Sequence, residues 1–316
     1  MALARWPART PVLVVDGLIG AGKSTALQAA AEALRARTCP TTGRPYRVAV
    51  VPEPVEKWRE IGALPRFYAD PRGRSALWFQ THAFCTRILA LVEACRAEPD
   101  ADAVLVERSI VTDRYVFVET LRSTLHPQEL RMYEILWDMQ VHVMPFDLTR
   151  ACYVYLRPSL EACMRRTADR ARPEEMGAPL VAAPGQASPA SSSAPPSAAT
   201  KDGGGADEAA KDGGGGAGVT AAYQAALQVA HDALFRPPTS PAGGVAAAPP
   251  DASAAAPPWH AAMCAVTVEG ALVEDDYAAP GPARDRLAAR LVALLEVHAT
   301  RCADAPAGPS DGKRSH

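Results

Sequence analysis

The sequence lacks an excess of charge of either sign. Its 316 residues include 33 Lys and Arg against 35 Asp and Glu, which gives a formal net charge of −2. Proteins that bind nucleic acid or anionic membranes through a broad surface usually carry a basic patch. We therefore expect no nucleic acid and no membrane among the partners, and a small molecule instead.

Long apolar runs and paired cysteines are also missing. No apolar run approaches the roughly 18 residues that a membrane-spanning helix needs, and the about ten residues before the first predicted strand leave no room for a signal or transit peptide. The seven cysteines are odd in number and none lies in a C-x-x-C pair, which favours reduced thiols over a disulfide framework. These features predict a cytoplasmic protein, or one in the cytoplasm of a host cell if its source is a virus.

Large apolar residues become scarce in three stretches of the second half of the sequence. Residues 178–218, 236–258 and 303–316 consist mainly of Ala, Pro, Ser and Gly, with a few charges. Such segments bury too little apolar surface to offset the entropy of ordering. We predict a disordered insertion, a linker and a flexible tail at these positions, and a single domain within residues 10–300.

Residues 17–25, G-L-I-G-A-G-K-S-T, fit the phosphate-binding pattern G-x-x-x-x-G-K-[ST]. An apolar run at 12–15 precedes them and a helical pattern at 25–37 follows, as a P-loop requires. The glycines of a P-loop let backbone N–H groups close on phosphate oxygens, the lysine reaches the β- and γ-phosphates, and the hydroxyl ligates Mg²⁺. A Gly-rich turn before an ordinary helix is the alternative. The predicted nucleotide-binding residues are Gly17, Gly20, Gly22, Lys23, Ser24 and Thr25.

Short apolar runs alternate with helical patterns along the rest of the sequence. This alternation predicts an α/β fold in which helices flank a five-stranded parallel sheet. After the first strand, the remaining strands are predicted at 47–51, 103–106, 151–156 and 263–268. After the first helix, the remaining helices are predicted at 75–97, 112–122, 128–143, 159–168, 221–235 and 284–298.

Charged residues follow the second and third predicted strands. Glu53 comes just after the second, and Glu107 with Arg108 ends the third. Because ligands bind outside the carboxyl ends of parallel strands, we expect these side chains to lie near the P-loop. Taken singly, Glu53 and Glu107 are better explained as solvated loop carboxylates or helix N-caps. Taken together with the P-loop, they favour phosphoryl transfer instead.

Several motifs, in one order along residues 12–175, carry a resemblance to a known family. They are D-G-x-I-G-A-G-K-S-T from Asp16, E-P-V-E-K-W from Glu53, F-Q-T from Phe79, E-R-S from Glu107 and R-A-R-P-E-E from Arg170. The sequence resembles the deoxyribonucleoside kinase family, which includes deoxycytidine, deoxyguanosine and mitochondrial thymidine kinases. The resemblance implies a P-loop kinase fold with an arginine-rich lid. It also implies transfer of the γ-phosphate of ATP to the 5′-hydroxyl of a deoxynucleoside, with Mg²⁺, in nucleotide salvage, by a homodimer.

The resemblance assigns the catalytic roles by position. Glu53 would take the proton of the 5′-hydroxyl, and Arg108 would steady that hydroxyl and the moving phosphoryl group. Ser24 and Glu107 would hold Mg²⁺, although Glu107 as the base stays an alternative. The ATP lid would carry Arg166, Arg170 and Arg172. The favourable interaction of a cation with a helix C-terminus is an alternative explanation for one of these arginines, but not for all three.

The same resemblance assigns the substrate side. Tyr68 and Glu175 would grip the 3′-hydroxyl, and the adenine of ATP would lie near residues 274–277. The base pocket would have Trp58, Phe79 and Phe117 as walls; Trp58 and Phe79 are alternatively plain core aromatics.

A polar cluster is expected to select the base. Gln80 offers both a donor and an acceptor, and Arg87 with Asp113 matches the pair found in the cytosine and purine members of the family. This favours deoxycytidine, purine deoxynucleosides or both over thymidine. Phe67, where deoxycytidine kinase-like members have Met, leaves their ranking open.

Two other functions are compatible with part of these features. A nucleoside monophosphate kinase shares the P-loop and lid but needs extra basic residues for the phosphate of its acceptor. A catalytically silent, ATP-binding assembly subunit is disfavoured because the candidate catalytic residues Glu53, Glu107 and Arg108 are present together with Lys23 and Ser24. Deoxynucleoside kinase is therefore the leading hypothesis.

Overall fold

The computed structural model describes residues 4–71, 73, 75–177, 218–235, 264–269, 273 and 280–304. The predicted linker, the predicted insertion up to residue 217 and the predicted tail from residue 305 lie outside these described residues.

A five-stranded, all-parallel sheet forms the centre of the fold. The strands are β1 (Val12–Gly17), β2 (Val48–Val51), β3 (Ala103–Glu107), β4 (Cys152–Leu156) and β5 (Cys264–Val268), in the order β2-β3-β1-β4-β5. Every residue of β1, β3 and β4 is buried, as expected for strands with both faces covered. The predicted α/β fold with a five-stranded parallel sheet is confirmed.

Helices cover the sheet. The α-helices are α1 (Lys23–Arg35), α2 (Val55–Glu60), α3 (Ala63–Ala69), α4 (Ser75–Ala97), α5 (Ile110–Thr112), α6 (Pro127–Val141), α7 (Leu160–Arg170), α8 (Ala221–Phe235) and α9 (Pro282–Asp304). The long helix α4 and the helix α8 match their predicted bounds. Helix α9 packs on α1.

Three local features differ from the sequence-based expectations. Helices α2 and α3 were not predicted from the sequence. They have only six and seven residues, which are too few to show a helical period. The segment predicted as one regular helix at 112–122 consists of a π-helix, Asp113–Val118, and a 3₁₀-helix, Glu119–Thr124. Helix α9 extends to Asp304 and so overlaps the first residues of the predicted tail.

The sheet order explains where the site lies. Strand β1 is central, between β3 and β4, and Val15 of β1 pairs with Glu107 of β3. The loop after β1 therefore opens beside the end of β3, where Glu107 and Arg108 are found. Within the part of the chain that the structure describes, no helix has the length and apolar character needed to cross a bilayer.

Candidate active site

The loop between β1 and α1 has the backbone that its glycines allow. Gly20 and Gly22 have φ angles of 81° and 85°, in the left-handed region that favours glycine. A Cβ on Gly20 would collide with the carbonyl oxygen of Cys163 in α7. The lysine side chain folds back over this loop: Lys23 Nζ donates to Leu18 O at 2.9 Å and to Gly17 O at 3.3 Å. Burial lowers the pKa of Lys23 to about 8.

The first turn of α1 meets the end of β3 through Ser24. Its Oγ lies 2.9 Å from Oε1 and 3.0 Å from Oε2 of Glu107. A hydroxyl and a carboxylate are oxygen ligands of the kind that Mg²⁺ prefers. No group of three or more His, Cys, Asp or Glu among the described residues is arranged to hold a metal ion. A Mg²⁺ ion here would need water and phosphate oxygens for its remaining ligands.

Arg108 follows β3 in an unusual conformation and faces Glu53. Its φ angle of 61° is rare for a residue with a side chain and marks a backbone held in place by its surroundings. Its Nε lies 3.3 Å from Glu53 Oε1, and its guanidinium carbon lies 4.8 Å from the ring centre of Phe117. The buried Nε and Nη1 atoms make no hydrogen bond within the described residues, so Arg108 has donors to offer a ligand.

The charge on Glu53 is stabilised by its neighbours. Burial alone would raise the pKa of Glu53, but the positive charges of Arg108 and then Arg87 outweigh it and hold that pKa below its ordinary value. Glu53 is therefore a carboxylate at neutral pH and a competent proton acceptor.

Arg87 of α4 joins the candidate base-reading residues to the candidate catalytic ones. Its Nε and Nη2 donate to the two carboxylate oxygens of Asp113 at 2.8 and 3.0 Å. Its Nη1 donates to Glu107 O at 3.0 Å, and its Nη2 also donates to Glu53 Oε1 at 3.1 Å. Gln80 lies on the same helix, and its buried Nε2 has no hydrogen-bond partner within the described chain, which leaves a donor for a ligand.

Aromatic rings enclose a cavity of about 50 Å³ beside this cluster. Phe67 stacks on Phe79 with ring centres 4.5 Å apart, and Trp58 meets Phe79 edge-on at 5.5 Å. The π-helix brings both Asp113 and Phe117 to the cavity, in keeping with the frequent use of π-helical turns at functional sites. The lining includes Trp58, Phe67, Phe79, Gln80, Arg87, Asp113, Phe117 and Tyr223.

A second cavity, of about 340 Å³, connects the loop after β1 with the candidate sugar-binding residues. Tyr68 and Glu175 line it together with Lys23, Ser24, Glu53, Glu107 and Arg108. Burial raises the pKa of Tyr68 well above its ordinary value, so its hydroxyl stays protonated. The carboxylate of Glu175 accepts hydrogen bonds from Arg170 at 2.6 and 2.7 Å.

The C-terminal end of α7 and the turn after it lie over the P-loop. Arg166, Arg170 and Arg172 line a cavity of about 560 Å³ with Gly20, Gly22, Lys23, Ser24, Thr25 and Glu107. Arg166 Nη2 also donates to Val273 O at 2.8 Å. Residues 274–277, expected near adenine, lie outside the described residues.

Comparison with known proteins identifies the family. A family model described as "Deoxynucleoside kinase" matches residues 13–181. The chain belongs to the deoxynucleoside kinase family.

Individual relatives agree with the family model. The chain is 31% identical over 163 residues to "Probable deoxycytidine kinase" of Fowlpox virus (strain NVSL), covering 51% of this chain and 62% of that protein. It is 28% identical over 189 residues to "Deoxycytidine kinase 1" of Xenopus laevis, covering 52% and 67%. It is 32% identical over 174 residues to "Thymidine kinase 2, mitochondrial" of Homo sapiens, covering 54% and 58%. The match therefore spans less than two thirds of the Fowlpox virus and human relatives.

The site of this deoxynucleoside kinase family member contains residues that sequence reasoning did not place there. Phe67 was expected only as a departure from the family pattern, and Tyr223 was given no role in the site. Phe67 lies on α3, a helix too short to be predicted, so the sequence could not show that its ring faces the cavity. Tyr223 lies on α8, which the sequence separates from the other pocket residues by the long segment 178–217.

Helix α8 also contacts the P-loop and the end of β1 through hydrogen bonds. Gln224 Nε2 donates to Ile19 O at 2.6 Å. The buried ring of His231 lies with Nε2 3.2 Å from Asp16 Oδ1 and with Nδ1 2.8 Å from Leu227 O. The sequence carries only one signal for this contact, a weak further match to the family at Tyr223 and His231, and that match does not indicate what either residue touches.

Proposed function

We propose that this protein is an ATP-dependent deoxynucleoside 5′-kinase that acts in nucleotide salvage. The observation that carries the proposal is the shared cavity in which the P-loop residues Lys23 and Ser24 face Glu53, Arg108 and the pair Tyr68 and Glu175. Phosphate-binding groups and groups suited to a neutral hydroxyl acceptor thus line one space.

The reaction is a direct in-line transfer. Glu53 takes the proton of the 5′-hydroxyl while the oxygen of that hydroxyl forms a bond to the γ-phosphorus. The bond between the γ-phosphorus and the β,γ-bridging oxygen breaks at the same time, which releases ADP. Arg108 donates to the entering oxygen and to the phosphoryl group. Lys23 and the arginines of α7 neutralise phosphate charge. When bound at Ser24 and Glu107, Mg²⁺ supplies further charge neutralisation and aligns the phosphates.

The preferred substrates are deoxycytidine, purine deoxynucleosides or both, ahead of thymidine. The bidentate contact of Arg87 with Asp113 supports this, because the pair fills space next to the base with polar groups where a 5-methyl group would need apolar contact. The unpaired Nε2 of Gln80 supports readout of a base edge.

The protein acts as a homodimer in the cytoplasm. Exposed apolar side chains on the neighbouring helices α4 and α6 support dimerisation, namely Trp78, Leu89, Met132, Ile135 and Met139. Sedimentation of a Met132→Glu, Met139→Glu variant tests it, with Val229→Glu on α8 as control; an unchanged dimer in the double variant contradicts the proposal. Among the described residues, Cys39, Cys85 and Cys95 are free thiols, which supports a reducing compartment.

One assay separates this function from its alternatives. ADP release is measured with ATP and Mg²⁺ against each of the four deoxynucleosides, with thymidylate and deoxycytidylate as acceptors for comparison. We expect turnover with deoxycytidine or a purine deoxynucleoside. Turnover only with monophosphates would favour a nucleoside monophosphate kinase. Absence of turnover with every acceptor, in folded protein that binds ATP, would favour the silent subunit.

A further inference from the structure

The backbone at Gly218 connects the two residues that we assign to the sugar. The amide of Gly218 donates to Tyr68 O at 2.9 Å, and the next amide, that of Val219, donates to Glu175 O at 2.8 Å. Two consecutive N–H groups therefore tie the C-terminal end of α3 to the turn after α7. Tyr68 and Glu175 are distant from each other in the sequence, so this double contact fixes their relative position.

Only glycine fits this place without displacement of its neighbours. Gly218 has a φ angle of 102°, which residues with a Cβ rarely adopt. A Cβ on Gly218 would collide with the carbonyl oxygen of Glu175 and lie 2.7 Å from the backbone nitrogen of Gly177. An alanine would therefore push the backbone of Glu175 away from Tyr68.

The segment after Gly218 is itself held by the P-loop. Thr220 Oγ1 accepts from the amide of Tyr223 at 3.1 Å in the first turn of α8. The next residue, Gln224, makes two hydrogen bonds with the backbone of Ile19. Gln224 Nε2 donates to Ile19 O at 2.6 Å, and Gln224 Oε1 accepts from the amide of Ile19 at 3.3 Å. The tie at Gly218 thus relates the sugar-binding residues to the phosphate-binding loop.

We propose that Gly218 is a positioning residue: it sets the spacing of Tyr68 and Glu175 at which both hold the 3′-hydroxyl of a deoxynucleoside. The inference rests on the proposed function, and in particular on the assignment of these two side chains to the sugar. Arg170 orients the carboxylate of Glu175, whereas Gly218 places the backbone from which that carboxylate extends.

The test compares a substrate that has the 3′-hydroxyl with one that lacks it. Values of kcat/KM are measured for the preferred deoxynucleoside and for its 2′,3′-dideoxy counterpart in wild type and Gly218→Ala. We expect Gly218→Ala to lose roughly 10- to 100-fold on the deoxynucleoside and less than about threefold on the dideoxynucleoside. The matched control is Gly43→Ala, because Gly43 has a φ angle of 68° but no atom within 4 Å of a Cβ. It should keep the wild-type preference.

Each other outcome is decisive. Equal losses on both substrates would mean that Gly218 only supports folding, and would overturn the inference. A wild-type enzyme that uses both substrates equally would overturn it too, while the kinase function stands. A wild-type protein that phosphorylates neither would overturn the proposed function itself. If Gly218→Ala does not fold, Val219→Pro removes the donor to Glu175 O without an added atom at Gly218; an unchanged preference in that variant would overturn the inference.

Discussion

Arg87 donates a hydrogen bond to Glu53 Oε1 at 3.1 Å. Sequence reasoning assigned Arg87 to recognition of the base and Glu53 to removal of the proton, with no link between them. The same Nη2 atom also contacts Asp113, at 3.0 Å. One guanidinium therefore contacts both Asp113, a proposed base-reading residue, and Glu53, the proposed proton acceptor, so the two proposed roles are electrostatically connected.

Substitution of Glu53 tests the proposed base. Glu53→Gln keeps the shape of the side chain but removes the proton acceptor, so we expect kcat to fall roughly 10²- to 10⁴-fold. Binding of ATP, measured by calorimetry, should change little because Glu53 faces the acceptor. The control is Glu56→Gln, an exposed carboxylate three residues away. Near wild-type turnover of Glu53→Gln would refute the assignment, and Glu107 would become the leading candidate.

Removal of the Arg87 and Asp113 pair tests base selection. The double variant Arg87→Met, Asp113→Ala should raise the ratio of kcat/KM for thymidine to that for deoxycytidine, because the space beside the base becomes apolar. The single variant Asp113→Ala leaves a buried arginine without its bidentate partner, so we expect it to be less stable than the double variant. The double variant also removes the hydrogen bond that Arg87 donates to Glu53, so we expect lower kcat with every substrate because the carboxylate is held less firmly in place. An unchanged thymidine ratio would show that the pair is only structural.

Lys23 gives the free protein a distinct pH dependence. Burial lowers its pKa to about 8, so Lys23 is protonated below pH 8 and becomes neutral above it. Nucleotide phosphates bind the charged form, and the affinity for ATP should therefore weaken above pH 8 by up to about tenfold per pH unit. Titration calorimetry from pH 7 to 9.5 measures this. Lys23→Arg stays charged and should bind with a flat profile; a flat wild-type profile would contradict the prediction.

The sequence was sufficient for those features that depend on local patterns. The strands and the helices α4 and α8 carry their hydrophobic period in one continuous stretch, and the glycines before Lys23 identify the phosphate-binding loop. A general rule predicted that Glu53, Glu107 and Arg108 lie near this loop, because parallel strands present their carboxyl ends at one edge of the sheet.

The contacts that complete the site depend on tertiary structure. The short helix α3 has no visible period, so the stacking of Phe67 on Phe79 could not be predicted. The left-handed conformation of Arg108 is imposed by its surroundings, since a residue with a side chain has no local preference for it. The ties of Gly218 to Tyr68 and Glu175 join segments far apart in the sequence, and no pattern along the chain records them.

The flanks of the segment 178–217 permit a test of what that segment contributes. The backbone nitrogen of Gly177 lies 2.7 Å from the position of a Cβ on Gly218, so a link of a few residues suffices to connect them. We expect a variant with Gly-Ser-Gly in place of residues 178–217 to keep kcat within about twofold and to unfold a few degrees above the wild type, because a loop about tenfold shorter costs about 2 kcal/mol less to close. A second variant that removes residues 178–220 also loses Gly218, Val219 and Thr220, and should lose turnover with the deoxynucleoside. Equal loss in both variants would show that residues 178–217 themselves contribute to the activity.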